Sequence, residues 1–130
     1  MPVEVKVLGY AALLQFVQYV LMAVPVNIQL GTRYTAGPRD QEQRPTGVPG
    51  RLTRAVNNHF EALALFSIAV LVVVLGDASD AVTGAAAWTY LAARVLYVPA
   101  YATGVFLWRS LIWAVGFLAT LVMLVAALFF

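Results

Sequence analysis

Four apolar stretches, each about as long as a bilayer is thick, leave this chain of 130 residues little choice of fold. A spanning helix needs about 20 mostly apolar residues, at 1.5 Å of rise each. The stretches run over about residues 5–30, 51–75, 81–107 and 110–130, and each is far longer than the roughly 10 residues of a membrane barrel strand. They predict an all-α protein: a four-helix bundle of four transmembrane helices, occupying residues 1–130 as a single domain. Gly31 to Gly50 gathers most of the turn formers and predicts a polar loop. Gly76-Asp77-Ala78-Ser79-Asp80 is a short acidic turn, and Trp108-Arg109-Ser110 marks a tight third connection. Pro25 and Pro99 lie inside the first and third stretches, where each removes a backbone hydrogen bond and bends a helix.

Composition agrees. Hydrophobic residues make up 62% of the chain and charged ones 11%, against about 25% charged in a soluble domain. A water-soluble fold of this size could not hide that much apolar surface. The net charge of +2 raises the question of a nucleic-acid partner, but the few basic residues lie in or beside apolar segments and form no patch on an aqueous face. No cysteine is present, which excludes disulfides, thiolate metal sites and a catalytic thiol from the chain itself. One histidine without cysteine partners argues against zinc, so no metal is expected. Lys6, at its very start, is the one basic residue of the first stretch, which lacks a small-residue cleavage pattern at its end and is expected to be retained as a span.

Basic residues set the expected orientation. Arg33, Arg39 and Arg44 lie in the first connection with Arg51 at its edge, Arg109 lies in the third, and the second has two aspartates and no base. The positive-inside rule places the first and third connections in the cytoplasm and both termini outside, with Lys6 opposing weakly.

The informative residues are polar ones inside the stretches. An arginine or aspartate at the bilayer centre costs about 2.5–3.5 kcal/mol on insertion scales, so such groups are paired, face a bundle interior or line a site. Arg54, Asn58 and Glu61 are spaced i, i+4, i+7 and share one helical face, which Arg51 and Leu65 extend. Guanidinium forks bind carboxylates in a bidentate fashion and a glutamate receives an ammonium, so this stripe suits a zwitterionic, peptide-like ligand. Tyr90, Arg94, Tyr97 and Tyr101 make a second stripe in the third stretch, one cation among phenols that donate hydrogen bonds and stack. The same stripes could instead serve helix packing, with Glu61 paired to Arg54 or Arg94. Tyr90 alone, His59 on a face away from Glu61, and Trp88, Trp108 and Trp113 are expected to be packing or interfacial residues.

Two segments carry a resemblance. Arg51-Leu-Thr-Arg54-Ala55-Val-Asn57-Asn58-His59-Phe60-Glu61 resembles the second-helix signature of the MAPEG family, the membrane-associated proteins in eicosanoid and glutathione metabolism. That family includes microsomal glutathione transferase, leukotriene C synthase and prostaglandin E synthase. Arg54, Ala55, Asn58 and Glu61 match its Arg-Ala-x-x-Asn-x-x-Glu pattern position by position. Ala93-Arg94-Val-Leu-Tyr97-Val-Pro-Ala-Tyr101 is similar to its third-helix signature, and Arg109-Ser110 lies where the family has its thiolate-stabilising arginine. The likeness covers mainly Arg51 to Phe66 and Tyr90 to Gly116. Ala62 and Ala64 depart from it, since the family often has tyrosine and proline there, and Tyr101 to Arg109 is shorter than in some animal members.

The resemblance implies a bacterial-type member in the inner (cell) membrane. It implies a homotrimer with glutathione, as cosubstrate, bound between subunits near the cytoplasmic side. Arg54, Asn58 and Glu61 would bind the tripeptide from one subunit, with Arg51 a further contact, and Arg94, Tyr97 and Tyr101 would contribute from the adjacent one. Arg109 would hold the thiolate as the catalytic cation, with Ser110 beside it. The implied activity joins the glutathione thiolate to lipophilic electrophiles, or reduces hydroperoxides to alcohols. The partners are then membrane lipids and the electrophile, with no nucleic acid. Two alternatives stay open: a glutathione-binding or structural trimer without turnover, and a small multidrug transporter. The latter carries its essential glutamate within the first helix, whereas here Glu4 is expected to precede the span.

Overall fold

The computed structural model describes residues 1–130 apart from the side chain of Phe106. The elements are α1 (Val3–Leu30), a single short turn α2 (Thr32–Thr35), α3 (Gly47–Leu75), α4 (Ala81–Ala102) and α5 (Phe106–Phe129). Among the described residues no strand occurs. The four long helices match the four apolar stretches, with shifted ends. α1 begins early enough to take in Glu4, which is therefore not ahead of the span. α3 begins within the expected loop, and α1 runs through Pro25 without a break.

Two expectations change. Trp108-Arg109-Ser110 is no connection: it belongs to the opening turns of α5. The chain turns instead at Thr103–Val105, where Gly104 takes φ 76, a left-handed conformation that costs glycine nothing. The expected third span also stands apart. α1, α3 and Leu107–Phe129 of α5 are long and apolar enough to cross a membrane, whereas α4 is not among them, because alanines, tyrosines and Arg94 dilute it. Three candidate spans make this a membrane protein.

α1 packs on α3 and α4 on α5, and the core lies where the four meet. Val7 and Ala11 of α1, Phe66, Ala69, Val70 and Val73 of α3, Ala86, Ala87 and Tyr90 of α4, and Ala119 and Met123 of α5 form one buried cluster. The alanines let backbones approach closely, the usual device where lipid offers no hydrophobic drive. Phe66 and Tyr90 stack with centroids 3.9 Å apart, joining α3 to α4 at mid-bundle.

The two ends are held by polar pairs. At one end Asp80 caps α4: its carboxylate accepts from the Thr83 N–H at 2.9 Å, and the Thr83 hydroxyl accepts from the Asp80 N–H. Thr83 also donates to the buried Glu4 carboxylate at 2.6 Å, and Ser79 donates to the same group at 2.8 Å. The start of α1 is thus fastened to the α3–α4 turn. At the other end the Gln29 amide and Thr46 exchange hydrogen bonds, and Tyr34 and Gln43 do likewise, closing the first loop on itself.

Glu4→Leu should lower the thermal midpoint in detergent, because it removes the charged acceptor of two hydrogen bonds, each worth about 1.5–3 kcal/mol. Glu4→Gln, which still accepts from Ser79 or Thr83, should lose less. Equal melting of all three proteins would show that this fastening contributes nothing.

Candidate functional site

The two stripes meet. At the end of the bundle that carries the first and third connections, α3, α4 and the start of α5 enclose an open cleft of about 620 Å³. Arg54, Asn58 and Glu61 line it from α3, Tyr97 and Tyr101 from α4, and Arg109 and Ser110 from α5. Seven of the nine residues singled out in the sequence are therefore neighbours, and they are neighbours within one chain. The neighbouring subunit, from which the resemblance brought in Tyr97 and Tyr101, is not needed to place them beside Arg54.

Tyr101 organises the cationic wall. Arg54 Nε donates to its hydroxyl at 3.2 Å, and the Arg54 guanidinium lies 5.9 Å from the ring centroid. The Arg109 guanidinium lies 4.8 Å from the same centroid. Both distances are within cation–π range, so one phenol ring holds two cations that would otherwise repel. Tyr97 continues the row, its ring 5.5 Å from that of Tyr101, and Arg94 stacks on Tyr97 at 4.3 Å. Glu61 faces this wall from α3 as the cleft's carboxylate. Among the described residues no ion pair joins it to Arg54 or Arg94, so the pairing left open by the sequence is not made.

The other two predicted residues lie elsewhere. Arg51 Nε donates to the Ala102 carbonyl at 2.9 Å, meeting an end-of-helix acceptor of α4 and tying α3 to it. Arg94 is only 2% exposed and sits behind the cleft, against a second cavity of about 310 Å³ between α3, α4 and α5. That cavity is mostly apolar, and it shares Asn58, Glu61 and Trp113 with the cleft.

Some lining was not foreseen. Trp113, expected as an interfacial residue, faces both cavities, and Asn57 joins the cleft. The signal was present: Arg109, Trp113, Gly116, Thr120 and Leu124 recur at helical spacing along α5. A polar contact from α1, made by the half-buried Gln15, was also missed. His59 is fully buried, and its Nδ1 donates to Gln15 Oε1 at 2.5 Å, a packing role that crosses to α1. In and around these cavities and the adjoining interior, Gln18, Asn58, His59, Tyr90 and Arg94 each keep at least one enclosed polar atom without a hydrogen-bond partner among the described residues. Polar atoms left this way in an apolar interior are costly, which marks the region as kept for more than stability. Among the described residues no set of three His, Asp or Glu side chains is grouped to hold a metal ion.

Comparison with known proteins gives one match. No curated protein and no solved structure is significantly similar to the chain. A family model, described as the MAPEG family, matches residues 7–129 and so takes in all of α1 but its first turn, the other three long helices, both stripes and Arg109. The chain belongs to the MAPEG family.

Proposed function

We propose that this membrane protein is a glutathione transferase that joins the glutathione thiolate to lipophilic electrophiles. The observation that carries the reading is a mirror of charge. Glutathione offers carboxylates, one ammonium and a thiol, and the cleft sets Arg54 against a carboxylate, Glu61 against the ammonium and Arg109 as a second cation. A nearby guanidinium is the natural partner of a thiolate.

Each residue then has a task. Arg54 and Glu61 fix the ends of the tripeptide, and Asn58 between them on the same face offers an amide to its backbone. Arg109 holds the sulfur as thiolate, the reactive form. The Tyr101 hydroxyl accepts from Arg54, which leaves its own hydrogen to point at the ligand. The thiol proton passes to water in the open cleft. Sulfur bonds to the electrophilic carbon, and the leaving group departs with the electrons of the broken bond. Hydroperoxides would instead yield alcohols. In this reading the protein works as a homotrimer in a bacterial inner membrane, with the cleft end toward the cytoplasm.

A thermal-shift titration tests the binding half. Glutathione at 100 times its Kd should stabilise the protein by about 2.7 kcal/mol, by mass action. Arg54→Ala should abolish the shift at the same concentration. If glutathione does not stabilise the unaltered protein, the reading is wrong.

A further inference from the structure

Arg94 is a buried cation that no carboxylate balances among the described residues. It lies in α4 between Tyr97, toward the cleft, and Tyr90, one turn deeper. The flat face of its guanidinium is engaged, stacked on the Tyr97 ring at 4.3 Å. One edge is not. Nε and Nη2 are the two donors that point side by side from a single edge of the guanidinium plane, the edge that receives an anion in a fork. Both are without a hydrogen-bond partner among the described residues, and so is the Tyr90 hydroxyl on the same face of α4.

Arg94 and Tyr90 both line the cavity of about 310 Å³ behind the cleft. The carboxylate that shares this cavity does not answer them. Glu61 is exposed, belongs to the cleft as well, and makes no ion pair with Arg94 among the described residues. His59, the buried histidine of α3, gives Nδ1 to Gln15 and supplies no negative charge. A hydrocarbon in the cavity would leave three donors unpaired. Water alone would leave the charge uncompensated. A small anion meets both needs. One guanidinium calls for a single negative charge, and the mostly apolar lining favours an ion that gives up its water at low cost.

We infer that Arg94 and Tyr90 hold a monovalent, weakly hydrated anion of the chloride type inside the bundle. The ion accepts from Nε–H and Nη2–H together and from the Tyr90 O–H. Room is not limiting, since a water molecule takes only about 30 Å³ in the liquid. Gly116 of α5 provides the place. A Cβ there would reach ordinary contact with Ala93, the Tyr90 ring and the Arg94 stem at 3.6–3.8 Å, so glycine leaves open the space into which the fork turns. The bound ion neutralises the guanidinium and keeps it beneath Tyr97. The inference does not rest on the transferase reading, because no thiol takes part.

The experiment follows the thermal midpoint of full-length protein in a non-ionic detergent while chloride replaces gluconate at constant ionic strength. The midpoint should rise by a few degrees and then saturate, as mass action at one site requires. Bromide should act as chloride does. Arg94→Met should melt at the same temperature in either salt, so its lead over the unaltered protein narrows as chloride rises. Gly116→Ala, which keeps the cation and fills the space beside it, should weaken the response, and it serves if Arg94→Met does not fold. In crystals grown with bromide, an anomalous peak should lie against Arg94 and Tyr90. A salt response of the same size in the unaltered protein and both variants, or no response in the unaltered protein, overturns the inference.

Discussion

Arg109→Ala is expected to lower kcat for conjugation at saturating glutathione by about 10²-fold, or about 2.7 kcal/mol. Removing one preorganised donor from a developing or resting anion costs 10²–10³ in enclosed sites. The lower figure applies because this cleft is open to water, which screens the charge. The loss should fall on kcat more than on glutathione affinity, since the proposed function assigns the tripeptide's ends to Arg54 and Glu61. Arg109 stacks on Tyr101, so its removal also frees that ring. Arg109→Lys therefore makes the informative partner: it keeps a charge and loses the planar fork, and should recover part of the rate. Arg33→Ala, which removes an exposed arginine of the α2 turn outside the cleft lining, should leave the rate unchanged. A full rate in Arg109→Ala would remove this residue from the chemistry.

Much of this site could be foreseen from periodicity. Arg54, Asn58 and Glu61 at i, i+4 and i+7 had to share a face of any helix, and so did Arg94, Tyr97 and Tyr101. Periodicity fixes a face, however, and not a depth. Arg94 and Tyr101 lie seven residues apart, about 10 Å along the axis, so one lines the cleft while the other sits behind it. Arg51 shares the α3 stripe, but its nearest acceptor is the end of α4, which only the packing of two helices could reveal. Trp108-Arg109-Ser110 resembled a break because its residues are polar or interfacial. The break went to Gly104, the residue in that stretch able to take a positive φ cheaply. Glu4 reads as preceding the span because it stands at the start of the apolar stretch, and its partners Ser79 and Thr83 are far away in sequence.

Arg94→Met should make the protein more stable and less able to bind its thiol. Arg94 is 2% exposed, makes no ion pair among the described residues, and keeps Nε and Nη2 without hydrogen-bond partners. A buried guanidinium without a paired carboxylate costs several kcal/mol, and stacking on Tyr97 returns only about 0.5–2 kcal/mol. A methionine of similar reach fills the same space without that cost, so a rise of a few degrees in thermal midpoint is expected. The functional loss follows from the same contact. Without the cation beneath it, the Tyr97 ring is no longer held against Tyr101, and the wall that carries Arg54 and Arg109 loosens. The glutathione-dependent shift should shrink in Arg94→Met even as the unliganded protein melts higher. That opposition is the mark of a group retained for a site at the expense of stability. If Arg94→Met melts lower instead, the arginine holds the bundle together and its place behind the cleft has no bearing on the thiol.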